Sequence, residues 1–147
     1  MLRALQLIFD FGSFRPAAVV APPPPSRRAA RRRSDAETVR RLVERHAYYN
    51  LLHFNGALRP VPIKVSGRLR SRLGYYRLGT PDKSAPLIMI SRRHLRRHGW
   101  DEVFETLLHE MVHQWQHENG LPVDHGPRFR AKAREVGVAP SARRPVA

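Results

Sequence analysis

Residues 107 to 129, LLHEMVHQWQHENGLPVDHGPRF, carry four histidines, and the first two bracket a glutamate as His109-Glu110-x-x-His113. On a helix, positions i and i+4 project from one face, so two imidazoles at this spacing can share one ion with Glu110 beside them. Such a set supports metal-assisted hydrolysis: the ion polarises a water and the carboxylate accepts its proton. A third ligand must complete it. His117 is one further i+4 step along, but it lies about 12 Å from His109 along the helix axis, too far for three in-line imidazoles to converge on bonds of ~2.1 Å. It is expected at the surface or supporting a ligand. A pattern with a histidine six residues beyond His113 meets Asn119 and is excluded. His125 remains, just past a helix stop at Gly120–Pro122, with Glu135 or Asp124 as carboxylate alternatives.

Periodicity indicates the elements that position these residues. Phe104, Leu107, Leu108, Met111, Val112 and Trp115 form one apolar arc, opposite His109, Glu110 and His113. This predicts a helix from a cap at Asp101 to the pair Asn119–Gly120, with Pro122 preventing continuation. Pro127 suits the first turn of a further helix, PRFRAKAREVG, whose Phe129, Ala133 and Val136 make a core stripe. Upstream, Ser34 or Asp35 can cap a helix in which Val39, Leu42, Val43, His46, Tyr49 and Asn50 recur at helical spacing, ending by HFNG. Between the helices lie three β-like runs, 61–66, 74–79 and 86–91, separated by turn residues and suited to a small antiparallel or mixed sheet. Helix, three strands, helix, helix is an α+β arrangement. His46, His53, His94 and His98 have no ligand spacing and are expected in packing or surface positions.

The 147 residues suit one domain. Residues 1–34, with a four-proline run and Arg27, Arg28, Arg31, Arg32 and Arg33, read as a flexible basic segment; 35–138 read as the domain, and 139–147 as a flexible tail. No cysteine is present, which excludes disulfides and thiolate zinc sites and leaves His, Asp and Glu to hold a metal. The apolar stretch ALQLIFDFGSF is too short for a membrane span and a poor secretory signal, so a cytoplasmic location is expected. With 27 Lys and Arg against 12 Asp and Glu, the formal charge of +15 suits a polyanionic partner such as nucleic acid, or a solvated Arg-rich surface. In SGRLRSRLGYYR, Arg68, Arg70 and Arg72 alternate before Tyr75 and Tyr76. On a strand they would line one face with stackable rings, either a single-stranded DNA surface or a protected edge strand.

The segment FETLLHEMVHQWQHENGLPVDHGPRFRAKAREVG resembles the active-site region of the SprT-like (Spartan-type) zinc metalloproteases, in which H-E-x-x-H is followed by a variable loop and H-G-x-x-F, here His125-Gly126-Pro127-Arg128-Phe129. Upstream, FNGALRPVPI stands in the place of that family's Phe-x-x-x-Leu-Pro turn, so the resemblance spans about residues 38 to 137. It implies a minimal zincin-like fold, Zn2+ held by His109, His113 and His125, Glu110 as general base, and endopeptidase action on proteins, DNA-associated ones among them. The sequence departs from many relatives in having no Cys-rich zinc ribbon. The competing readings are a basic nucleic-acid-binding protein with structural or vestigial zinc, and another minimal H-E-x-x-H hydrolase.

Overall fold

A computed structural model describes residues 23–82 and 84–140. Residues 1–22 and 141–147, and with them most of the expected basic segment and tail, lie outside the described residues. The order of elements is α1 (Arg27–Phe54), β1 (Ile63–Ser66), β2 (Gly74–Arg77), β3 (Leu87–Ser91), α2 (Arg92–Glu118) and α3 (Pro127–Val136), three helices with a small mixed sheet.

The first helix begins about two turns before the expected cap, so residues 27–34, with all five arginines expected in a flexible basic segment, are helical instead. Ser26 is the N-cap, accepting the Ala29 N–H at 3.2 Å, and the following Ala and Arg residues are strong helix formers. Asp35, expected to cap, is instead held by Arg92 through Nε at 2.8 Å and Nη2 at 2.6 Å, which ties α1 to the start of α2. Thr38, Leu42 and His46, at i+4 spacing, are the buried side of α1. Its end falls where expected, at Asn55 in the left-handed region with φ 54°. Asn50 closes the turn beyond it, exchanging two hydrogen bonds with the Leu58 backbone at 2.9 and 3.0 Å.

The sheet order is β1-β3-β2, with β1 parallel and β2 antiparallel to β3. The middle strand is apolar nearly throughout and buried at four of its five positions. Ile63, Ile88 and Ile90 point into the core, whereas Lys64, Met89 and Tyr75 form a row on the other face. All three expected runs are trimmed, the third only by Pro86. Pro60 and Pro62 carry no N–H to give a ladder, so β1 begins at Ile63, and β2 ends at Arg77. Arg68, Arg70 and Arg72 do not share a strand face, because they fall in the bends between Ser66 and Gly74.

The second helix also starts earlier than expected. Ser91, not Asp101, is its N-cap, accepting the His94 N–H at 3.3 Å. The chain breaks at Gly99, whose φ of 80° favours glycine, and resumes helix through Glu118. Past Asn119, Gly120 takes the left-handed conformation at φ 65°. The third helix matches expectation, with Pro127 in its first turn and Gly137 at φ 80° after its last.

Packing places α2 at the centre, in contact with α1, β2, β3 and α3. Leu107, Met111 and Val112 are fully buried on the predicted arc, yet the opposite side is covered too: His109 is 5%, Glu110 4% and His113 8% exposed. Trp115 is half-buried against the core. No helix among the described residues is long and apolar enough to cross a membrane.

Candidate metal centre and cleft

His109 and His113 stand one turn apart on α2, and the loop between α2 and α3 brings His125 against both. Its Nε2 lies 3.0 Å from Nε2 of His109 and 3.2 Å from Nε2 of His113. Nδ1 of His113 faces Gln116 Oε1 at 3.0 Å and Nδ1 of His109 faces the Ala139 carbonyl at 3.4 Å, so each ring donates from Nδ1 and keeps a lone pair on Nε2. Both lone pairs are turned toward Nε2 of His125, where one cation could share all three nitrogens. Bonds of ~2.1 Å in a tetrahedron separate neighbouring donor atoms by ~3.4 Å, close to the spacing found. Among the described residues these three form a group that could hold a metal ion, with ligand atoms all within 4.8 Å.

The supports are specific. Phe129, fully buried, lies under all three imidazoles, with ring centroids 4.9, 4.5 and 4.6 Å away. Asp124 Oδ1 accepts the Gly126 N–H at 2.8 Å and the Gln116 amide at 3.4 Å, so one carboxylate shapes the His125 loop and orients the amide that faces His113. Gly126 is needed there, because a Cβ would come within 2.9 Å of that oxygen. Arg130 Nη1 donates to the His125 carbonyl at 2.8 Å. Gln116 and Ala139 were not singled out in the sequence. Gln116 at i+3 from His113 is a readable signal, whereas the Ala139 carbonyl depends on where the chain runs after α3.

Desolvation sets the proton affinities. Burial, helped by the nearby His113 and His125, pulls the His109 pKa down to about 4. Burial also lowers that of His113, against its hydrogen bond to Gln116. Both rings are thereby kept neutral, the form that binds a metal. Burial pushes the neighbouring Glu110 the opposite way, up to about 7, opposed by the Tyr76 N–H that donates to its carboxylate and by the charge of Arg72.

Glu110 and the three histidines line a cleft of about 590 Å³. Arg72, Tyr75 and Tyr76 line it too, while Arg68 and Arg70 lie exposed on the same loop. His117 is apart from the three imidazoles, as expected, with Nδ1 2.7 Å from the Tyr76 hydroxyl. Glu135 is not brought to the site; its exposed carboxylate pairs with Lys132 at 2.7 Å within α3. His46 is packed in the interior against Gln114, at 2.8 Å.

No curated protein and no solved structure matches the chain. A model of the SprT-like family matches residues 42–146, a range that contains every part of this centre, and the chain belongs to that family.

Proposed function

We propose that the chain is a zinc-dependent endopeptidase with His109, His113 and His125 as metal ligands and Glu110 as general base. One observation carries this reading: three imidazole nitrogens converge at the wall of an open cleft, with a buried carboxyl on the adjacent residue. A structural zinc is closed by four protein ligands, whereas three ligands and an accessible face suit a catalytic one, and an all-imidazole set suits zinc. When bound, the metal supplies Lewis acidity that brings the pKa of a water toward ~7.

The chain's own residues do the rest. Glu110, whose proton affinity is near neutral, takes a proton from the attacking water and passes it to the leaving amine. The sheet order leaves the outer edge of β2 without a strand neighbour among the described residues, and Gly74 and Tyr76 border the cleft, so an extended peptide can add along it. Proteins associated with DNA are the substrate class we infer, supported by the +15 charge and by Arg68 and Arg70 on the loop that borders the cleft.

The test is direct. Wild-type protein loaded with zinc should cleave an unfolded protein substrate, and Glu110→Gln should bind zinc equally well yet cleave nothing, because an amide cannot accept the water's proton. Cleavage at the wild-type rate by that variant refutes the general-base role. A zinc-saturated wild type that binds DNA but cleaves no protein favours a nucleic-acid-binding protein with structural zinc.

A further inference from the structure

Peptide hydrolysis puts negative charge on the carbonyl oxygen as water adds, and a preorganised donor aimed at that oxygen from the protein accelerates the step. Few side chains around the cleft can supply one. The Thr106 hydroxyl is committed to the Glu102 carbonyl at 3.1 Å and the Tyr76 hydroxyl faces His117 at 2.7 Å, while Glu102, Glu105 and Asp124 are acids; Ser71 and Tyr75 offer neutral hydroxyls, so a charged donor must come from elsewhere. Arg72 is the one Lys or Arg side chain lining the cleft among the described residues. Arg40, Arg92 and Lys132 are each tied to a carboxylate, but Arg72 makes no ion-pair contact among the described residues, although its charge is felt at Glu110.

The loop that carries Arg72 is fixed on both sides. Ser91, 2% exposed, donates its N–H to the Leu73 carbonyl at 2.9 Å and its hydroxyl to the Leu69 carbonyl at 3.0 Å. Two residues on, Gly74 lets the start of β2 press onto β3 and α2. A Cβ there would meet the Met89 carbonyl at 2.9 Å and Thr106 Cγ2 at 3.0 Å. A guanidinium with no ion pair among the described residues is thus carried on a clamped loop at the wall that also holds Glu110.

We propose that Arg72 is a catalytic residue of the hydrolysis, donating guanidinium N–H groups to the scissile carbonyl oxygen as charge develops on it. This rests on the endopeptidase reading. It gives Arg72 work in the transition state rather than in holding substrate, so its loss lowers kcat more than it raises KM.

The experiment uses full-length zinc-loaded protein and three readouts. Arg72→Ala should lose on the order of 10²–10³-fold in kcat with zinc content and KM unchanged, and Arg72→Lys should recover part of it. A phosphinic peptide, whose tetrahedral anion imitates the transition state, should bind Arg72→Ala more weakly than wild type by a similar factor. The affinity of the uncleaved peptide, measured in a Glu110→Gln background, should be the same with and without Arg72→Ala. Equal losses for peptide and phosphinate overturn the proposal, since Arg72 is then a substrate subsite. A kcat deficit that disappears at alkaline pH also overturns it, because Arg72 then only keeps Glu110 ionised. If wild type cleaves no peptide, the endopeptidase reading fails by itself, and unchanged phosphinate affinity in Arg72→Ala still refutes the role of Arg72.

Discussion

Replacing Glu110 by glutamine should stabilise the metal-free protein, and only above a definite pH. Burial lifts the carboxyl from 4.5 to about 7, so the folded chain holds it protonated where the unfolded chain ionises it. A folded-state pKa above the unfolded one contributes stability that is whole below pH 4.5, declines as pH rises toward about 7 and is gone above it. At 1.36 kcal/mol per pH unit, that interval amounts to about 3 kcal/mol. Glutamine imitates the protonated side chain and never ionises, so Glu110→Gln avoids the loss. Urea denaturation of chelator-treated proteins, followed by circular dichroism from pH 4.5 to 8.5, should show near-equal stabilities at the acid end and the variant ahead by about 3 kcal/mol at the alkaline end. The histidines titrate in both proteins and largely cancel in the difference. Zinc should shrink the gap, because a cation beside the carboxylate favours its ionised form. A difference that stays constant across the range would refute the claim that desolvation dominates at Glu110.

Three further outcomes follow from the site. His109→Ala, His113→Ala and His125→Ala should each lose most bound zinc by elemental analysis while His117→Ala retains it, and stoichiometric zinc in His125→Ala would remove that residue from the set. Gln116→Leu takes the acceptor from His113 Nδ1 and should weaken zinc binding about 10–100-fold in competition with a chromogenic chelator; unchanged affinity would show that the amide does not orient the ring. Single-stranded DNA binding should weaken with salt, with a log–log slope of roughly −0.7 per phosphate neutralised, and Arg68→Ala with Arg70→Ala should flatten that slope. A slope identical to wild type would move the contact away from this loop.

Where local chemistry decides the structure, the sequence was legible. Pro127 and Gly137 bracket α3, Asn55 and Gly120 mark helix ends, and β-like runs between turn residues mark all three strands. Two helical stretches were not readable from pattern. RRAARRRS and RRHLRRH are too rich in arginine to show an apolar period, yet a serine caps each one, and Asp35 with Arg92 joins them at a distance in sequence that no local window spans. The Arg68, Arg70, Arg72 alternation failed for the opposite reason. Its period of two resembles a strand, but the carbonyls of Leu69 and Leu73 are taken by Ser91, and the segment bends between strands. The parallel pairing of β1 with β3 is equally a long-range outcome.

The centre itself divides along the same line. The spacing of His109, Glu110 and His113 puts them on one side of a helix, opposite the apolar arc, and a helical wheel says no more. An exposed helix could carry the same five residues with ordinary proton affinities. What changes them here is cover from β2 on one flank and α3 with its preceding loop on the other, which leaves all three residues under a tenth exposed. Desolvation penalises whichever form is charged, so it lowers the imidazoles and raises the carboxyl between them. Adjacent positions in the chain are thereby moved in opposite directions by one cause. The two buried histidines stay neutral, as the proposed metal ligands must be, and the glutamate gains a proton affinity near neutral, as the proposed general base requires. Burial of both faces of α2, rather than the five-residue pattern alone, is therefore what favours the proposed metal centre over a chance match on a surface helix, and Phe129, Gln116 and Asp124, none of them among the proposed ligands, support that centre from the core.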